Sequence, residues 1–133
     1  MTSIATEALH TRFRSRIIEH LELIASANEQ LAYQQAVPIA HVSNELFNTW
    51  GDWVSSEAAI DELAAPIFSR EEQQAVREFN ATLNAVAGQT VRDLPHITAF
   101  IGTPAWHELS SAASVALAVF MVRGVESEDG GVI

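Results

Sequence analysis

The sequence predicts an all-α protein, a single-domain bundle of four to five helices with an apolar C-terminal helix at its centre. Three observations predict it. Apolar residues recur at three- and four-residue steps along most of the chain, the spacing that gathers side chains on one helical face. Helix start signals stand ahead of these stretches, at Ser69 and Thr103. Helix stops fall between them, at Pro38, Pro66, Gly88 and Gly124. A chain of 133 residues fits one domain and can bury most of its apolar surface without disulfides or a structural metal. Residues 1–124 are expected to form the helical domain. Residues 125–133, with Glu126, Glu128, Asp129 and two glycines, are expected to be a disordered acidic tail.

The first helix starts near Ser3 or Ile4 and runs to about Gln34, with Leu9, Phe13, Ile17, Leu21, Ile24 and Leu31 on one face. Thirty residues at about 1.5 Å each span about 45 Å. A globule of this size is only about 36 Å across. The helix must therefore bend around Ser26 to Asn28 or project, and a projecting helix would offer a homodimer surface. Pro38 ends it, because the residue before proline is pushed out of α geometry. Ile39 to Val54 places Ile39, Val42, Leu46, Trp50 and Trp53 on one stripe, and Glu57 to Leu63 reads as a short helix.

Ser69-Arg70-Glu71-Glu72 is a capping box, in which the serine hydroxyl and the Glu72 carboxylate satisfy each other's backbone N–H groups. The helix behind it points Val76, Phe79, Leu83 and Val86 inward and stops at Gly88. Pro95 to Ile101 forms a short connecting helix. Thr103 caps the last helix with Pro104 in its first turn, and that helix continues to Arg123, closed by Gly124. Trp106, Leu109, Val115, Leu117, Val119, Phe120 and Met121 leave it without a polar face, which predicts a central position.

Composition excludes several function classes. There are no cysteines, so thiolate chemistry and cysteine-bound metals are out. Seventeen acids against seven bases, all of them arginine, give a formal net charge of −10. Such a field repels nucleic-acid phosphates and anionic lipid surfaces, and it steers a basic partner toward the chain. Residues 1–16 lack the apolar core of a signal peptide. The most apolar stretch, Leu109 to Val122, is short of the roughly 20 residues needed to span a bilayer. A cytoplasmic protein is the expectation.

No motif specifies catalysis. Glu7 and His10 have the Glu-x-x-His spacing of helical metal sites, but the second such motif and the extra carboxylates of a two-metal site are missing. His41 and Glu45 stand four apart, a spacing that serves a hydrogen bond as well as a metal. His20, His96 and His107 read as surface, boundary or capping residues. Ser110, Ser111 and Ser114 lie within a helix rather than on a strained nucleophile turn. No phosphate loop or dinucleotide fingerprint occurs. No catalytic residue, metal ligand or cofactor is expected. Arg12, Arg14 and Arg16 fan around the first helix, and pairing with Glu19 or Glu22 is their ordinary explanation.

The suggestive stretch runs from Asn44 to Glu62. Phe47, Trp50 and Trp53 share a helical face, and Glu45, Asp52, Glu57, Asp61 and Glu62 supply five acids with no intervening base. Aromatic anchors rimmed by one sign of charge suit a protein interface for a basic partner. Glu45, Trp50, Asp52, Trp53, Glu57, Asp61 and Glu62 are therefore the expected partner-binding residues. The competing reading makes both tryptophans core and the acids a solvated outer face. The functional expectation is a non-enzymatic protein-binding module, in a bacterial setting an immunity or inhibitor protein that neutralises a basic partner. An anti-activator or secretion chaperone has the same features. The alternative from another class is a helical-bundle enzyme or metal protein using His10, His41 and nearby carboxylates.

Overall fold

The computed structural model describes the backbone of residues 4–63, 67–89 and 94–124, with side chains described from residue 9 onward. The expected acidic tail, residues 125–133, and the Glu7 carboxylate lie outside the described residues. Seven helices and no strand occur among those that are described: α1 (Ile4–Ala25), α2 (Ala27–Ala36), α3 (Val42–Trp53), α4 (Glu57–Asp61), α5 (Arg70–Gln89), α6 (Ile97–Phe100) and α7 (Pro104–Met121). The count exceeds the expected four to five because the long first helix divides and two single-turn connectors, α4 and α6, form.

The first helix divides at Ser26, which sits in extended geometry and caps α2 by accepting from the Glu29 N–H. The break frees carbonyls at the end of α1, and buried polar side chains take them up. Gln30, fully buried, donates its amide to Leu23 O at 2.9 Å and Ile24 O at 3.0 Å and accepts from the Trp106 indole at 2.8 Å. The Ser110 hydroxyl donates to Ala25 O at 3.2 Å. A bend whose freed carbonyls find such partners costs little, so the helix turns back onto the body instead of projecting. The projection on which a homodimer through helix 1 rested is absent.

α7 packs along both α1 and α5, and α3 packs on α1. Ile17, Ile18, Leu21, Leu46, Trp50, Val76, Phe79, Leu109, Ala113 and Phe120 belong to one contiguous buried core. α7 begins as its sequence predicts: Thr103 Oγ1 accepts from the Trp106 N–H, and Gly124 at φ 77° closes the far end. It lies between α1 and α5, and its remaining face is open. Val115 is 67% exposed, and Ser111, Ser114, Ala118 and Met121 face outward with it. An apolar helix with many alanines can lie on the surface, because small side chains leave little apolar area uncovered.

Arg14, expected from the sequence to pair with Glu19 or Glu22, is 1% exposed, and its guanidinium grips the Glu72 carboxylate through Nε at 3.2 Å and Nη2 at 2.8 Å. Arg14 also donates to Gly124 O at 2.8 Å and lies over the Phe120 ring. Arg123 donates to both oxygens of the same carboxylate, and the Ser69 N–H adds a further bond at 3.0 Å. Burial pushes the Glu72 carboxyl upward. The bonds from Arg123, Arg14 and Ser69, with the Arg14 charge, outweigh that and hold it at about 2 instead of the ordinary 4.5. On the other side of α1, buried His20 sets Nε2 3.0 Å from Leu46 O. A carbonyl only accepts, so Nε2 carries the proton. Burial lowers the His20 pKa below 6.5 despite that bond and the nearby Glu45 charge.

Both groups bind fewer protons in the folded chain than in the unfolded one, so both make stability fall with acid. The His20 contribution is present above pH 6.5 and erodes below it, and that of Glu72 is lost between pH 4.5 and about 2. Urea denaturation should show stability declining through these two windows in turn. E72Q should remove about 3 kcal/mol at pH 7 and flatten the lower window, because it leaves the buried Arg14 without a charged partner. A pH profile of E72Q matching that of the wild-type chain would contradict this account.

Candidate functional site

The acidic stretch singled out in the sequence spans α3, α4 and the turn between them. α3 starts where the His41 ring accepts from the Asn44 N–H, and α4 starts where the Ser56 hydroxyl accepts from the Ala59 N–H. Both helices lie beside α5, which supplies the far wall of a pocket of about 310 Å³, at the low end of the ligand-pocket range. Phe47, Trp50 and Val54 line it from α3 and its end, Glu57 from α4, and Asn80 and Leu83 from α5.

The structure separates the expected partner-binding residues into three groups. Trp50 is corrected from interface anchor to core: it is 1% exposed, packs edge-on against Phe79 at 4.7 Å and donates its indole N–H to Asn80 Oδ1 at 3.0 Å. Only its pocket-lining edge is available to a ligand. Trp53 is half-buried against Phe13, with ring centroids 5.5 Å apart, on the α1 side of α3. Glu45 is half-buried as well. It accepts from the Tyr33 hydroxyl, a bond that raises the tyrosine's pKa, and its Oε2 is buried with no hydrogen-bond partner among the described residues. Trp53 and Glu45 therefore belong to the packing of α3 on α1 and α2.

Asp52, Glu57, Asp61 and Glu62 are exposed, as an acidic interface requires. Glu57 and Asp61, one turn apart on α4, both accept from Arg77 of α5, each at 2.9 Å. Each carboxylate uses one oxygen on Arg77, and the other makes no hydrogen bond among the described residues. These bridges orient two carboxylates toward one region and leave acceptor capacity for a second cation.

Sequence reasoning missed Asn80, although a signal existed. Asn80 falls on the buried stripe of Val76, Phe79 and Leu83, and a polar residue on such a stripe needs a buried partner. Gly51 also lines the pocket, within α3. Glycine costs a helix interior about 1 kcal/mol relative to alanine, yet a Cβ placed there would meet nothing within 4 Å. Core packing does not require a glycine at that position.

The histidines do not assemble into a site. His41 and His96 cap helices, His20 is buried against a backbone carbonyl, and His10 and His107 are exposed. Among the described residues no group of three or more His, Cys, Asp or Glu side chains is placed to hold a metal ion, and no helix is long and apolar enough to cross a membrane. No protein family matches the chain, and no curated protein or solved structure matches it either.

The bond from Trp50 to Asn80 ties α3 to α5 and fixes the pocket's inner wall. N80L should cost about 1–3 kcal/mol, because it leaves the buried indole N–H unpaired. The double variant N80L/W50F should lose about 1 kcal/mol less than the two single losses summed, measured by urea denaturation. Strict additivity would mean that the pair does not interact.

Proposed function

We propose that this chain is a non-enzymatic protein-binding module, of the immunity or inhibitor kind, which takes a basic protein on the acidic surface of α3 and α4. The observation that carries the reading is the arrangement of exposed carboxylates at Asp52, Glu57, Asp61 and Glu62 beside a pocket with aromatic lining. The net charge of −10 supports it, since a basic partner would be drawn in over long range and then held by local carboxylates. Such a module would act in the cytoplasm, where the seven arginines and the absence of cysteine are unremarkable. No partner contact with the Trp53 ring belongs to this reading, because Phe13 occupies part of that face.

The test is affinity purification at low salt from the host, comparing the wild-type chain with E57K/D61K/E62K. These residues are exposed, so the variant should fold. The wild-type chain should retain a stoichiometric basic protein that elutes as salt rises, and the triple variant should lose it. Equal retention by a correctly folded variant would remove α4 from the interface. Recovery of a partner that is not basic would remove the electrostatic reading altogether.

A further inference from the structure

Among the polar side chains that line the pocket between α3 and α5, Asn80 is the buried one, and the fold uses only one end of its amide. Asn80 is 6% exposed, and its Oδ1 accepts from the Trp50 indole. An indole N–H only donates, so it fixes which end of the amide is oxygen. The nitrogen end is thereby assigned as well. Nδ2 donates to no group among the described residues, and Asn80 is part of the pocket wall. A buried side chain thus presents an N–H donor to a pocket whose rim carries a carboxylate, Glu57, with an open oxygen. The donor can give to an acceptor and the carboxylate can take a donor or cation, while Phe47 and Leu83 favour an apolar stem between them.

Gly51 points the same way. It lies on the same stripe of α3 as Phe47, Trp50 and Val54, which line the pocket, and a Cβ there would meet nothing within 4 Å. The glycine keeps the space open.

We propose that this pocket is a subsite for a single arginine or lysine residue of a protein partner, whose main-chain carbonyl accepts from Asn80 Nδ2 while its cationic head meets Glu57. Arg77 holds the Glu57 carboxylate in place from the α5 side, so the incoming cation meets an oriented acceptor. The aliphatic stem lies along Leu83 and the aromatic edges. This inference rests on the basic-partner reading and specifies which group of the partner is recognised.

The full chain can be titrated with three small probes while the Trp50 indole and Asn80 amide signals are followed by NMR. N-acetyl-arginine-N-methylamide carries both the carbonyl and the cation, ethylguanidinium only the cation, and N-acetyl-norleucine-N-methylamide only the carbonyl and stem. The first should shift both signals and bind at least about tenfold more tightly than either of the others. G51L should abolish the shifts while keeping or raising thermal stability, since it replaces a helix glycine and clashes with nothing. Absence of shifts at roughly 10 mM capped arginine, or equal binding by G51L, overturns the subsite. The two proposals fail separately. If the capped arginine does not bind but E57K/D61K/E62K still loses the native partner, the acidic surface stands without this pocket. If the capped arginine binds and charge reversal leaves the native partner in place, the pocket stands and the α4 interface falls.

Discussion

The fold is fastened at a single buried carboxylate. Glu72 sits in the first turn of α5, where it closes the capping box with Ser69, and it is also the anion on which Arg14 of α1 and Arg123 at the end of α7 converge. The three longest helices therefore meet at one charge. A buried carboxylate is tolerable only with its lone pairs filled, and here the donors that fill them come from three separate parts of the chain. Arg14 in turn gives two more of its N–H groups to Gly124 O and Phe120 O, so the positive φ at Gly124 serves the ion pair as well as the helix end. Helix capping, dipole compensation and tertiary docking are one interaction here, and disturbing any part of it disturbs the registration of α1, α5 and α7.

That interaction explains which parts of the molecule were legible in sequence. The capping box was, because Ser69 and Glu72 are three residues apart and local spacing encodes it. The ion pair was not, because Arg14 lies 58 residues from Glu72 and Arg123 lies 51 away. Yet Arg14 stands three and four residues before Ile17 and Ile18, on the inward stripe of α1, a signal of burial that the helix-pair reading passed over. The bend at Ser26 was legible as a length problem. Its mechanism depended on Gln30 and Ser110, whose polar atoms find their uses only in three dimensions. The exposed face of α7 was not legible because hydrophobicity was read without side-chain size: Ser111, Ser114 and Ala118 need little burial.

For the candidate site, the exposed acids were legible because charge is rarely buried without a partner nearby in sequence or space. The tryptophans were ambiguous for the opposite reason. Trp50 and Trp53 are three apart on α3, but the helix is wedged between α1 and α5, so rings only one turn apart meet different neighbours, Phe79 and Phe13. The pocket could not be read at all, since its walls come from segments about thirty residues apart, as the Trp50–Asn80 pair shows.

Arginine allocation sharpens the electrostatic argument. Two of the seven arginines, Arg14 and Arg123, pair with the single carboxylate of Glu72, so five bases face the remaining sixteen acids. Arg16 pairs with Glu19, and Arg77 divides itself between Glu57 and Asp61. The core thus withdraws positive charge from the surface and makes the outside more acidic than composition alone indicates. A surface of this sign attracts any base, which supplies encounter but little selectivity. Selectivity has to come from groups that are fixed and partly desolvated, where a wrong partner leaves a donor or a carboxylate unsatisfied. Asn80, held by Trp50, and Glu57, held by Arg77, are such groups, and both are carried or braced by α5, the helix anchored at Glu72. The stability of the bundle and the placement of the pocket's walls therefore share one helix.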